Sequence, residues 1–250
     1  MAGHSKWAGI KHKKAVVDAK RGKLFGKLAR AITVAAREGG GDPDHNAALA
    51  QAIVKAKDAN MPNDNIDRAI KKGAGGLGDA ETYQHLTYEG YGPNGVAVYV
   101  AVLTDNKNRT AADMRHIFDR SGGKLGTDGS VSWMFERKGV IFVDATGWNE
   151  DEFMMAAIEA GAEDVVLEGE MFEVHTDAVD FMAVRGALEQ AGVKYSSAEL
   201  TMIPKSTVAL DESDARKTLK LLDALEDNDD VQEVYANFDI PDNVMEALTE

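Results

Sequence analysis

GVAVYVAVLTDNKNRTAADMRHIFDRS, residues 95–121, changes its hydrophobic period once, and that change decides the fold. Residues 96–103 form an unbroken apolar run with β-branched side chains on both faces, the pattern of a strand covered on two sides. Gly-Pro-Asn-Gly at 92–95 supplies the turn that precedes it. Past the polar loop 104–109, Ala111, Met114, Ile117 and Phe118 recur at helical spacing, which predicts a helix over 110–121. Strand then helix is the first half of a split βαβ unit.

The same alternation continues downstream. Strands are expected over 130–135, 140–144, 164–168, 171–176 and 194–203, with helices over 150–160 and 178–191 and a hairpin around Gly169. Residues 137–203 therefore read β-α-β-β-α-β, the ferredoxin-like order. The remaining strands at 207–210 and 231–238 and helix at 214–225 have too small a core to stand alone. Joined to 84–136, they complete a second set of the same kind. Upstream, Leu24, Leu28, Ala31 and Ala35 predict a helix from about Asp18 to the glycines 39–41. Asp42-Pro43 reads as a cap and first-turn proline opening a second helix to Asn60, and Pro62-Asn63-Asp64 starts a third that Gly73 ends. GAGGLGDAE (73–81) reads as a linker. The expected fold class is α+β: an N-terminal three-helix domain followed by two ferredoxin-like α/β domains, the third inserted into the second. The expected boundaries are 1–80, then 81–136 with 204–250, and 137–203 as the insertion.

Charge is divided as sharply as structure. The chain of 250 residues has a net charge of −14, yet residues 1–80 carry +7 and residues 81–250 carry −21. Residues 1–37 hold ten Lys/Arg against Asp18 alone. Such asymmetry points to a polyanion gripped by one end only, the acidic remainder staying off it. Lys6, Lys11, Lys13 and Lys14 lie on an expected arm over 2–14, and Lys20, Arg21, Lys23, Lys27 and Arg30 on the first helix. Together these are the candidate phosphate contacts, each neutralised phosphate releasing counterions. Trp7 and His12 add a stacking group suited to unpaired bases, although Trp7 serves equally as a packing group. A second polar cluster, Asn106, Lys107, Asn108, Arg109 and the later Lys124, either meets the same polyanion or a protein partner, or supplies turn and cap residues. Asn63, Asn65 and Arg68 on the third helix are the nearest candidates for reading base edges.

Other classes fail on composition and spacing. There is no cysteine, which excludes disulfides and thiol chemistry. The run 96–103 is far short of the roughly 18 apolar residues a membrane helix needs, and lysines interrupt any secretory leader. The expectation is a cytoplasmic protein without membrane contact. Gly73, Gly75 and Gly78 match G-x-G-x-x-G, but a helix precedes them and none follows directly, so the dinucleotide reading fails. The six histidines show no i, i+4 zinc spacing. Asp227, Asp229 and Asp230 lack the glycine a calcium loop requires and read as a solvated acidic turn. No catalytic residue, metal or cofactor is assigned, and no heptad argues for a coiled-coil dimer, so a monomer is expected.

MAGHSKWAGIKHKK, DAKRGKLFGKL, NMPNDNIDRAIKKGAGG, YEGYGPNGVAVYV, TDNKNRTAADMRHIF and GKLGTDGSVSWMFERKGVI run in order along the chain. Together they resemble the YebC/PmpR family over its whole length. The resemblance implies three domains with the last inserted in the second, a cytoplasmic location, and no catalytic activity or cofactor. It also implies DNA-binding regulation of transcription or, in other members, action at the ribosome in translation. Carried over, Lys6, Lys11, Lys13, Lys14, Lys20, Arg21, Lys23 and Lys27 become the nucleic-acid contacts. Gly9 and Lys124 depart from the Asn or Thr and the Asn common at those positions. The leading expectation is a non-enzymatic DNA-binding regulator. The alternative is a ribosome-associated translation factor holding rRNA or tRNA through the arm, and a protein-interaction scaffold using the acidic surface is third.

Overall fold

Three helices come first among the described residues of the computed structural model, which are 18–75, 83–241 and 243–245. The expected arm and most of the expected linker lie outside those residues. α1 (Asp18–Gly39), α2 (Ala47–Asp58) and α3 (Asn63–Ala74) close around Leu28, Ile32, Leu49, Ala56, Met61 and Ile66. α1 stops where Gly40 takes a φ of +89°, the left-handed position that glycine enters without strain. α2 starts later than the Asp42-Pro43 cue suggests. Asp42 closes its own turn instead, its carboxylate accepting from Asp44 N at 3.0 Å and its carbonyl from His45 N at 3.2 Å. The cap is the buried Asn46. Its Oδ1 accepts from Leu49 N at 3.1 Å, while its Nδ2 donates to the carbonyls of Ala35 and Gly40, each at 2.8 Å. One side chain thus finishes α1 and begins α2.

The middle sheet follows with β1 (Gln84–Tyr91), β2 (Ala97–Thr104), α4 (Lys107–Arg120) and β3 (Lys124–Leu125). Next come β4 (Phe135–Asp144), α5 (Glu150–Glu159), β5 (Asp164–Glu168), β6 (Met171–Asp177), α6 (Phe181–Gln190) and β7 (Tyr195–Pro204). After the insertion come β8 (Val208–Ala209), α7 (Glu212–Glu226), β9 (Val231–Ala236) and β10 (Phe238–Asp239). Two compact units result. One is Phe135–Ile203; the other comprises the described residues up to Met134 and from Pro204 onward.

Within 135–203 the strand order is β5-β6-β4-β7, the ferredoxin-like order in which the two outer strands flank the antiparallel β6 and β4 pair. Its core gathers Ile141, Phe153, Phe172, Val174 and Leu188. In the other unit the order is β3-β1-β2-β9, with a small parallel β8–β10 pair beside it. β2 is central and buried along almost its whole length, as its unbroken apolar run requires. Val98, Val100, Val102, Met114, Phe118, Leu221 and Leu225 form the core beneath α4 and α7.

The strands of this region depart from the sequence expectation at β1 and over 130–135. β1 is a full strand, antiparallel to β2 from Gln84↔Thr104 to Tyr91↔Ala97, although its text QHLTYEGY carries weak apolar alternation. The expected strand over 130–135 is absent: 132–134 form a short 3-10 turn and β4 begins only at Phe135. β1 lies between β3 and β2 in the sheet, so the strand order of this unit follows from a strand the hydrophobic pattern does not mark. A buried carboxylate from β1, some forty residues earlier in the chain, takes the amides a ladder would have used.

Gly73 lies inside the last turn of α3 and serves packing rather than termination. A Cβ there would sit 2.3 Å from the Thr33 carbonyl oxygen and 2.8 Å from the Ala36 Cβ on α1. Alanine ordinarily strengthens a helix interior by about 0.5–1 kcal/mol over glycine. Gly73→Ala is expected instead to lower the urea-unfolding free energy, by ~1–3 kcal/mol, because the backbones must separate.

Candidate nucleic-acid interface

α1 presents Lys23, Lys27 and Arg30 at spacings of four and three, on one side of the helix. That side faces the end of α7. Lys23 Nζ donates to the Asp227 carbonyl at 3.3 Å, Lys27 Nζ to the Glu226 carbonyl at 2.5 Å, and Arg30 Nη1 to the Asp229 carbonyl at 2.8 Å. α7 has no basic residue in its own last turn, so these cations supply the partners its C-terminal carbonyls lack and complement the negative end of its dipole. The Arg30 guanidinium also lies 5.6 Å from the Tyr83 ring centroid and 3.6 Å from Asp230. On α2, Lys55 pairs with Glu233 of β9. The helices are therefore tied to the middle sheet by the very residue types expected to meet phosphate. Arg21, two residues before Lys23, is exposed.

The acidic turn is not wholly solvated. The Asp230 side chain is 7% exposed and sits at a convergence of donors. Arg109 Nη2 reaches both its oxygens, at 3.0 and 2.8 Å, and Thr104 and Thr110 Oγ1 donate to Oδ2 at 3.2 and 2.8 Å. A register shift between Ala101 and Val102 bulges β9 there, and Leu103 N donates to the Asp230 carbonyl at 2.8 Å. Burial pushes the Asp230 carboxyl up, but the bonds from Arg109, Thr110 and Thr104 outweigh it and hold the group below the usual aspartate range.

The polar loop 104–110 is positioned by this network. Asn106 caps α4, its Oδ1 accepting from Arg109 N at 3.1 Å, so cap chemistry falls on Asn106 rather than on Asp105 or Asn108. Arg109 turns toward Asp230 and Asp105, whereas Lys107, Asn108 and the distant Lys124 remain exposed. On α3, Asn63 and Arg68 are exposed and Asn65 is half-buried. Lys6, Trp7, Lys11, His12, Lys13 and Lys14 lie outside the described residues, and Lys20 is placed only by its backbone on α1.

A second buried carboxylate shapes the loop after β3. Glu89, 4% exposed, accepts from the amides of Gly129 at 2.8 Å, Val131 at 2.6 Å and Ser132 at 2.8 Å. Burial raises its carboxyl and those amides more than reverse the effect, leaving it below the normal glutamate range. Neither Asp230 nor Glu89 is legible as special from local sequence. Asp230 lies in an acidic run 121 positions from Arg109, and Glu89 is one acid in a polar-looking strand.

Comparison with known proteins fits this architecture. The TACO1/YebC N-terminal domain profile matches residues 5–76, and the TACO1/YebC second and third domain profile matches residues 83–238. The chain belongs to the TACO1/YebC family. A probable transcriptional regulatory protein of Rubrobacter xylanophilus is 64% identical over 245 residues, covering 98% of each chain. One of Halothermothrix orenii with the same description is 59% identical over 253 residues and covers both chains entirely. The crystal structure of a conserved hypothetical protein, Aq1575, from Aquifex aeolicus superposes with a TM-score of 0.82 at 52% identity, over 95% of this chain and 98% of that one.

Asp230→Asn removes a charge from this network without removing its volume. The native carboxylate has a depressed pKa, so its stabilisation is complete above the unfolded value of about 3.9 and disappears as pH falls through the lower folded value. Urea unfolding at pH 7 should show the variant less stable by ~2 kcal/mol, the scale of hydrogen bonds to a charged group. The gap should close as the pH is lowered through that window; an equal gap at pH 7 and below pH 3 would show that the charge contributes nothing.

Proposed function

We propose that this chain is a non-enzymatic, DNA-binding regulator of transcription whose leading end holds the phosphate backbone. The observation that carries the reading is the segregation of charge: ten cations against one acid in residues 1–37, in a chain of net charge −14. Support comes also from full-length relatives above 50% identity named as probable transcriptional regulatory proteins. The phosphate contacts are Lys6, Lys11, Lys13 and Lys14 of the arm with Lys20 and Arg21 at the start of α1. Trp7 and His12 lie among them. Lys23, Lys27 and Arg30 have a different task, tying α1 to the segment 226–230 through their bonds to its carbonyls. Phosphate recognition of this kind positions a protein without reading sequence. Asn63 and Arg68, exposed on α3, are the side chains available for base edges, and Lys107, Asn108 and Lys124 form a secondary contact.

Binding to duplex DNA, structured RNA and purified ribosomes, each titrated at several salt concentrations, tests the proposal. Log affinity for duplex should fall linearly with log salt by roughly 0.9 per phosphate neutralised, and replacing Lys11, Lys13 and Lys14 with Ala should flatten that slope. Tight, saturable ribosome binding beside loose DNA binding would replace this reading with action in translation. Salt-independent binding unaltered by the triple substitution would remove nucleic acid from the account.

A further inference from the structure

Trp133 is 66% exposed, far more than a tryptophan that packs in its own fold. It does not project from a loose segment. Its Nε1 donates to the Ser130 carbonyl at 3.1 Å, and the hydroxyl of Tyr91, itself 38% exposed, donates to the same oxygen at 2.9 Å. Glu89 fastens that loop through three amides, and Gly129 takes the left-handed φ of +83° that lets the chain turn back onto the carboxylate. A buried charge is thus used to hold two exposed aromatic rings with their polar edges turned to one point.

Two lysines flank the pair. Lys124 lies opposite Tyr91 in the β1–β3 register, and Lys205 N donates to the Met134 carbonyl at 2.8 Å, next to Trp133. Both side chains are exposed, and neither has an ion-pair partner among the described residues. Asp128 is the acid on the intervening turn. Cores of protein–protein interfaces are depleted in lysine, whereas aromatic rings beside lysines match a base beside its phosphates. Bases inside a duplex are already stacked on one another and are not available to such rings.

We propose that Trp133 and Tyr91, with Lys124 and Lys205 beside them, form a preorganised stacking platform for an unpaired nucleobase, whose adjoining phosphates meet the two lysines. The proposal rests on the nucleic-acid reading above and adds a single-strand contact remote in sequence from the basic arm. It makes Lys124 part of a built surface rather than an isolated charge.

Trp133 fluorescence in a Trp7→Phe/Trp148→Phe background, titrated with single-stranded DNA, single-stranded RNA and duplex DNA of equal length, tests it. The single strands should quench the indole and the duplex should not; the relative strength of the two single strands identifies which sugar is preferred. Trp133→Ala should weaken single-strand binding about tenfold, within the range for one stacked base, with duplex binding unchanged. Trp133→Phe should retain part of the affinity, and Lys124→Ala/Lys205→Ala should lower the single-strand salt slope without touching the ring. These two variants keep the test valid if Trp133→Ala unfolds. Unquenched fluorescence and unchanged single-strand affinity, with arm-dependent duplex binding intact, would overturn the platform alone. No binding of any polynucleotide by the unaltered chain would overturn the reading beneath it.

Discussion

Burying one carboxylate, that of Asp230, imposes an order on much of the unit that contains it. An aspartate removed from water is costly unless its oxygens are met by donors, and here they are met from three directions. Thr104 comes from the end of β2, Arg109 and Thr110 from the first turn of α4, and Arg30 from α1. The β2–α4 corner, the bulged start of β9 and α1 therefore meet at this one carboxylate. The polar loop 104–110 owes its shape to this requirement, and so does the direction of α1.

The division of charge takes on a second meaning in that light. A basic front end on an acidic protein suggests phosphate outside, but part of the basic surface is answered within the molecule by carbonyls at the end of α7. These two uses are compatible because they fall on different residues. The inner cations meet main-chain oxygens over short distances. Arg21, exposed at the start of α1, is available to an external polyanion, whose attraction is felt through solvent and weakened by salt.

The fold was largely legible from hydrophobic period. The run 96–103 marked the central strand, and the alternation over 140–203 marked the ferredoxin-like unit, because those patterns are set by burial on a sheet. What escaped the sequence depended on side chains that bond far along the chain. QHLTYEGY carries no clear strand pattern because its buried Glu89 is satisfied by groups some forty residues later. The same capture of amides removed the strand expected over 130–135. Asp42-Pro43 imitated a helix start, but Asn46 also had the end of α1 to satisfy. For the candidate site, sequence found the cations and could not say which are committed internally. Trp133 was visible only as part of an apolar-looking stretch, since exposure is not written in residue type.

Separate single substitutions at Arg21 and Arg30 test the division of α1 most directly, each measured for urea stability and for polyanion affinity at fixed salt. The account predicts that Arg21→Ala lowers affinity and leaves stability unchanged, whereas Arg30→Ala lowers stability and leaves the affinity of the folded protein nearly as it was. Equal losses of affinity from both, with stability unmoved by either, would contradict it.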